Sequence, residues 1–81
     1  MDRREVATRV RHELATLITV GPQLADTDQL ADHGLDSLTS VQFTLNLEDS
    51  FGVAFDDDDI NVVNFATVES IVNLLEKKLP A

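Results

Sequence analysis

Apolar side chains recur at three- and four-residue spacing along most of this 81-residue chain. That spacing places them on one side of an α-helix, whereas a half-buried strand would need alternation at every second position. No stretch of the sequence has the strand pattern. The periodicity therefore predicts an all-α fold, a small three- to four-helix bundle that forms a single domain over residues 1–81.

The first helix is predicted to run from about Arg3 to Ile18. Asp2 can cap its start, because a carboxylate before the first helical residue accepts a hydrogen bond from a free backbone N–H. Gly21 and Pro22 then stop it. Its inward stripe consists of Val6, Val10, Leu14, Leu17 and Ile18. A polar, turn-rich loop follows, and its expected anchors on the core are Leu24, Leu30 and Leu35.

Two further long helices are predicted from the same spacing. One begins at Ser37 and ends near Phe51, where Gly52 supplies the residue that commonly closes a helix. The last helix has Thr67 as its cap and ends before Pro80. Its buried stripe consists of Val68, Ile71, Leu74 and Leu75.

The aspartate-rich segment over residues 55–65 is expected to form a short helix of one to two turns. Asp56 would cap it, and Ile60 and Val63 would face inward. Acidic side chains suit a helix start because the helix dipole is positive there. A calcium loop is not expected, because an EF-hand needs glycine at its sixth position and Asn61 stands there when the count starts from Asp56.

The charge balance limits the partners. Six Lys and Arg against fifteen Asp and Glu give a formal charge of −9, which repels nucleic acid and anionic membranes and favours partners with basic surfaces. No cysteine is present, and His12 and His33 have no companion ligands at metal spacing. No apolar run reaches membrane-spanning length. We expect a soluble, cytoplasmic monomer that holds no metal.

The segment Gly34 to Leu38 presents a serine at a helix start. Asp36 is a favourable N-cap residue, and Gly34 lets the incoming chain turn sharply. Ser37 would then lie beside free N–H groups at the positive end of the helix dipole, which suits an attached phosphate. Neither the flanking glycines of a nucleophile elbow nor a partnering histidine is present, so no catalytic residue is predicted. Ser37 is interpreted as a site that another enzyme modifies.

The stretch LADHGLDSLTSVQFTLNLEDSFGV resembles the carrier proteins of fatty-acid, polyketide and nonribosomal-peptide synthesis. The DSL core alone would be a weak signal. Its specificity comes from the thirteen residues that separate the serine from Phe51 and Gly52 in a chain of this length. The resemblance extends over nearly the whole chain and implies an acyl-carrier-protein-like bundle.

The resemblance also implies the chemistry. Ser37 would receive 4′-phosphopantetheine from coenzyme A through a phosphopantetheinyl transferase, with Asp36 and Leu38 as the adjoining residues of the attachment site. The chain itself would not be an enzyme. It would be loaded by an adenylating ligase or an acyltransferase, hold the acyl or aminoacyl group as a thioester, and deliver it to downstream synthase and transferase enzymes.

The second helix carries two apolar stripes. At about 100° per residue, one stripe is separated from the other by more than a third of the circumference. The first consists of Phe43, Leu47 and Phe51, and the second of Leu38, Val41 and Leu45. Either both are buried in a central helix, or the second stays partly exposed beside Ser37. The resemblance favours the exposed alternative, in which the second stripe, with Glu48 and Asp49, is the partner-binding surface.

The start of the second helix departs from the fatty-acid members of the family, which usually carry acids there. The corresponding positions here are neutral: Thr39, Ser40, Gln42 and Thr44. This favours a stand-alone carrier of a specialised pathway of the polyketide or nonribosomal-peptide type. A fatty-acid carrier is the alternative, and an acidic helical interaction module without a covalent cofactor is the alternative of another class.

Overall fold

The computed structural model describes residues 2–19 and 23–79. These residues form three α-helices and one short 3-10 helix, and no strand occurs among them. In chain order they are α1 (Arg3–Ala15), the 3-10 helix (Leu30–His33), α2 (Ser37–Phe51) and α3 (Val68–Lys78). The predicted all-α bundle is confirmed. The predicted stop signals Gly21, Pro22 and Pro80 lie outside the described residues.

Helix α1 begins as its sequence predicts. The Asp2 carboxylate accepts a hydrogen bond from the backbone N–H of Glu5 at 2.8 Å, which satisfies one of the donors that a helix start leaves free. The buried face consists of Val6, Val10 and Leu14. This face packs against α2 and, more extensively, against α3.

The end of α1 differs from the prediction. The helix stops at Ala15, three residues before the predicted end at Ile18. The Thr16 hydroxyl donates to the Glu13 carbonyl at 2.7 Å, a local side-chain bond of the kind that competes with helical pairing. The backbone N–H of Ile18 still reaches the carbonyl of Leu14 at 3.0 Å. The chain after Ala15 is therefore a turn whose apolar side chains still pack partly against the core.

Helix α3 agrees with the prediction at its start and along its buried face. The Thr67 hydroxyl accepts a hydrogen bond from the backbone N–H of Ser70 at 3.0 Å. The predicted stripe is buried, together with one further valine: Val68, Ile71, Val72, Leu74 and Leu75. An ion pair between Arg3 and Glu76 joins the exposed sides of α1 and α3.

Helix α2 buries only one of its two apolar stripes. Phe43, Leu47 and Phe51 enter the core, whereas the stripe of Leu38, Val41 and Leu45 stays exposed. The alternative in which both stripes are buried is wrong. The helix ends at Gly52 in the left-handed conformation, with φ of 66°, as the sequence predicts.

The loop between the first two long helices lies on the core through the three predicted anchors, Leu24, Leu30 and Leu35, all of which are buried. The 3-10 helix in this loop was not predicted. Its first residue, Leu30, donates its backbone N–H to the carbonyl of Ala66 at 2.8 Å. The Arg11 guanidinium donates to the carbonyl of Leu24 at 2.9 Å. Both hydrogen bonds hold the loop against distant parts of the chain.

The predicted short helix in residues 55–65 is wrong. The segment is a series of turns, and Ile60 and Val63 are exposed instead of facing inward. The side chains that do face inward are Phe55 and Phe65, whose rings meet edge to face with centroids 5.7 Å apart. The aromatic residues at the two ends anchor the segment, so the residues between them are free to lie at the surface.

Side-chain acceptors account for the turns. The Asp59 carboxylate accepts the backbone N–H of Asp56 at 2.9 Å, and the Asn61 side chain accepts the backbone N–H of Asn64 at 2.8 Å. Such bonds offer the backbone partners other than those of a helix. Asp56 therefore has a role opposite to its predicted one, because its backbone is capped by Asp59.

We expect Leu47→Ala to lower the free energy of unfolding by about 2–5 kcal/mol, because Leu47 is fully buried and its truncation leaves a cavity. Leu45→Ala is the matched control, since it makes the same change two positions away on a side chain that is 54% exposed. It should cost only about 0.5 kcal/mol. Urea unfolding measures both, and equal losses would contradict the assignment of the two stripes.

Candidate functional site

Ser37 is the first residue of α2, and the residues before it fix its position. Asp36 has extended backbone, and its carboxylate accepts a hydrogen bond from the backbone N–H of Thr39 at 2.8 Å. The carbonyl of Asp36 accepts the first helical bond, from Ser40, also at 2.8 Å. The predicted N-cap is confirmed. The Ser37 side chain is exposed at the capped end of the helix.

Gly34 makes the turn that leads into this site. Its φ is 104°, in the left-handed region that side chains disfavour. It caps the 3-10 helix by donating its backbone N–H to the carbonyl of Ala31. A Cβ atom added here would lie 3.9 Å from the side chain of Ile18, so the requirement for glycine comes from the backbone conformation and not from lack of space.

The charge state of the cap follows from its hydrogen bonds. The backbone N–H of Thr39, and after it the Thr39 side chain, lower the pKa of Asp36 below its ordinary value of 3.8. Asp36 therefore carries a negative charge at neutral pH. Among the described residues, the Ser37 hydroxyl has no hydrogen-bond partner. The histidine that lies four residues before it, His33, has its imidazole 3.6 Å from the carboxylate of Asp28.

A groove of about 360 Å³ opens beside Ser37. On the α2 side its walls include Ser40 and Thr44, whose hydroxyl donates to the Ser40 carbonyl at 2.8 Å. The opposite wall comes from the turns before α3 and includes Ile60 and Val62. The groove is therefore partly apolar and partly lined by hydroxyl and amide groups.

The second wall of the groove was not predicted from the sequence. Ile60 was predicted to be buried, and Val62 was not singled out. The only signal was an apolar group within an acidic segment, the residues Ile60, Val62 and Val63, which a helical reading places partly inside. Two segments that are distant in sequence have to come together before the groove exists.

The predicted partner-binding residues lie next to Ser37 on the outer side of α2. We call Leu38, Val41 and Leu45 the outer stripe; their exposed fractions are 82%, 59% and 54%. Asp49 is exposed further along the helix. Glu48 is half-buried, and its carboxylate accepts the backbone N–H of Phe55 at 2.8 Å. Glu48 therefore has a structural contact in addition to its predicted role.

The Lys and Arg residues of the chain are confined to two helices. All six basic residues lie on α1 or in the last turn of α3: Arg3, Arg4, Arg9, Arg11, Lys77 and Lys78. Helix α2 carries no basic residue, and its acids Glu48 and Asp49 both lie in its second half. The first two turns of α2 are neutral.

No group of three or more His, Asp or Glu side chains in residues 2–19 and 23–79 is arranged to hold a metal ion. In the same part of the chain, every helix is too short or too polar to cross a membrane.

Comparison with protein families and curated relatives gives consistent matches. The family described as "Phosphopantetheine attachment site" matches residues 8–75. Acyl carrier protein 3 of Ralstonia nicotianae is 32% identical over 81 residues, covering 98% of this chain and 91% of that protein. The acyl carrier protein of Thermotoga maritima is 34% identical over 79 residues, covering 95% of each.

Solved structures with the same fold include complexes with a ligase. One holds an engineered Bradyrhizobium japonicum glycine:carrier protein ligase with a carrier protein from Agrobacterium tumefaciens and ATP. The match has a TM-score of 0.81 and 28% identity, covering 89% of this chain and 97% of that one. A second holds the Bradyrhizobium japonicum ligase with glycylated carrier protein. This match has a TM-score of 0.69 and 22% identity, and it covers 89% of this chain and 96% of the other. The second likeness shows the fold alone.

The lowered pKa of Asp36 predicts how its substitution depends on pH. Asn can still cap the helix but has no charge, so Asp36→Asn should be less stable than the wild type at neutral pH. Because folding lowers this pKa, the advantage of the carboxylate is complete above the unfolded value of 3.8 and is lost as pH falls through the folded value. Melting temperatures of both proteins between about pH 2 and 7 should converge in acid. A constant difference would contradict this prediction.

Proposed function

This chain belongs to the phosphopantetheine-attachment family, the acyl carrier proteins, and from that premise we propose that Ser37 carries its 4′-phosphopantetheine. Proteins of this family are carriers and not enzymes. The group is covalent, and its thiol holds an acyl or aminoacyl unit as a thioester. We propose that residues 1–81 act as one monomeric carrier domain in the cytoplasm.

The position of Ser37 is the observation that carries the proposal. The side chain is exposed on the first residue of α2, and the Asp36 cap fixes the backbone on which it stands. The positive end of the helix dipole favours the phosphodiester anion that attachment creates. A transferase can reach the hydroxyl without opening the fold.

The surroundings of Ser37 also fit a pantetheine chain. Such a chain contains amide bonds and apolar carbons, and the groove combines both kinds of wall, with Ser40, Thr44 and Asn61 beside Ile60 and Val62. Hydroxyl and amide groups can bond the amides, and the apolar side chains can cover the carbons. These protein side chains would hold the pantetheine arm at the surface, next to the outer stripe.

We expect Ser37→Ala to remain unmodified when the protein is incubated with coenzyme A and a broad-specificity phosphopantetheinyl transferase. The wild type should gain the mass of one phosphopantetheine group, as measured by intact-protein mass spectrometry. Ser40→Ala is the matched control, since it removes another hydroxyl that lines the same groove, and it should be modified like the wild type. A wild type that gains no mass would instead support the interaction module without a covalent cofactor.

Partner enzymes are proposed to bind the outer stripe. Leu38, Val41 and Leu45 form an apolar surface beside Ser37 that no other part of the described chain covers, and exposed apolar surface rimmed by polar groups is typical of binding sites. Val41→Asp should therefore leave the fold intact and weaken loading, seen as an unchanged melting temperature and an increased KM for the loading enzyme. If Val41→Asp instead unfolds the protein, the outer stripe has a structural role.

We propose that the loading enzyme is an adenylating ligase and that the pathway is specialised, of the polyketide or nonribosomal-peptide type. The structural relative with 28% identity is a carrier protein in complex with a glycine ligase and ATP. The neutral first turns of α2 support the same proposal, since they lack the acids that would steer basic enzymes of fatty-acid synthesis. A fatty-acid carrier is the alternative.

Charging assays on the phosphopantetheinylated protein separate these alternatives. We expect aminoacylation by an adenylating ligase and poor use by fatty-acid synthase components, because electrostatic steering close to the arm is weak. The double variant Thr39→Asp/Gln42→Glu should be used better by the fatty-acid enzymes. Chain elongation on the wild type at the rate of a fatty-acid carrier would refute the proposal and support the alternative.

A further inference from the structure

The turns between α2 and α3 form one wall of the groove beside Ser37. We call residues 55–66 the wall segment. It has no α-helix of its own, yet it places Ile60 and Val62 at the groove and leaves Val63 exposed next to them. The shape of the groove therefore depends on what holds the wall segment in place.

Asp59 is the centre of the contacts that hold it. Its carboxylate accepts the backbone N–H of Asp56 at 2.9 Å, and its carbonyl accepts the Asn64 side-chain amide, also at 2.9 Å. The same carboxylate lies 2.6 Å from the Lys78 ammonium in the last turn of α3, which also lies 3.6 Å from the carboxylate of Asp56. Lys78 thus connects the middle of the wall segment to a helix of the core.

This ion pair is better placed than a typical surface pair. The side chains of Lys78 and Asp59 are only 24% and 21% exposed, so solvent and salt screen them less than two fully exposed charges. The hydrogen bond between them raises the pKa of Lys78 and lowers that of Asp59. Both groups are charged at neutral pH.

We propose that Lys78 is a positioning residue for loading: through Asp59 it holds the wall segment so that Ile60 and Val62 stand beside Ser37 as the loading ligase requires. This proposal rests on the proposed function. Lys78 is not among the residues that line the groove, so it acts through the wall segment and does not touch the arm.

Loss of the Lys78–Asp59 ion pair should weaken binding of the ligase and leave the chemical step unchanged. A ligase that binds beside a mobile segment has to order that segment, and the lost conformational freedom weakens binding. A segment that is already held in place removes this penalty before the encounter. Loss of the ion pair should therefore raise the KM of the ligase for the carrier and leave kcat nearly unchanged.

The test compares Lys78→Met with Lys77→Met and Lys78→Arg. Lys77 is the neighbouring lysine, is exposed, and forms no ion pair in the described residues. Its substitution controls for the lost charge and for the change of side chain. Amide hydrogen exchange of residues 56–64 reports on the wall segment without any loading enzyme, and steady-state kinetics with the ligase report on KM and kcat.

We expect Lys78→Met to speed exchange in residues 56–64 by about tenfold, with exchange in the buried part of α3 unchanged. The ligase KM should rise several-fold at constant kcat. Lys77→Met should match the wild type in both measurements, and Lys78→Arg should restore both, because a guanidinium can pair with the two carboxylates.

Wild-type exchange in Lys78→Met, or faster exchange with an unchanged KM, would overturn the proposal. If Lys78→Met fails to fold, Asp59→Asn makes the same test, since it keeps an acceptor for the Asp56 N–H but loses the charge. The wild type distinguishes failure of this inference from failure of the proposed function. If the proposed function is wrong, the wild type is not loaded at all. If only this inference is wrong, the wild type is loaded and the variants are loaded equally well.

Discussion

The burial of Phe43, Leu47 and Phe51 is the constraint on which the rest of the structure depends. Because Ser37 is the first residue of the same rigid helix, the rotation of α2 that buries this stripe also decides where the serine and the outer stripe point. If α2 were rotated about its axis by the ~100° that separates neighbouring residues, the outer stripe would move toward the core. Hydrophobic packing on one side of α2 thereby sets the position of Ser37 and of the exposed side chains on the other side.

The packing of α2 also depends on the loops that cover the core, because an 81-residue chain without cysteine has only a small core and no disulfide to support it. The loops are therefore tied to the helices by backbone hydrogen bonds across long sequence separations. The N–H of Leu30 bonds the carbonyl of Ala66, and the N–H of Glu69 bonds the carbonyl of Asp26. Both hydrogen bonds lie near the start of α3. The loop between α1 and α2 and the segment between α2 and α3 therefore support each other beside the groove.

Local signals made most of the fold predictable, and their absence explains the errors. Asp2, Asp36 and Thr67 cap their helices through bonds that span three residues, so their function is visible in sequence. The prediction for the wall segment failed because its aspartates and asparagines can close turns as readily as they cap a helix. Asp59 also pairs with Lys78, a contact between residues distant in sequence that no local pattern reveals. The position of Ser37 at a capped helix start and the exposure of the outer stripe could be predicted from the motif and the spacing. The groove could not, because it requires the tertiary structure.

The charges of this chain are mixed at short range, whereas the first two turns of α2 are neutral. Lys78 lies among the acids of the wall segment, and the Arg9 guanidinium donates to the carbonyl of Ser50 near the end of α2. The outer stripe itself carries no charge. Dissolved salt screens interactions between charges and leaves apolar contacts largely unchanged. A complex formed through the outer stripe, as proposed, would therefore persist at ionic strengths that weaken encounters between charged surfaces.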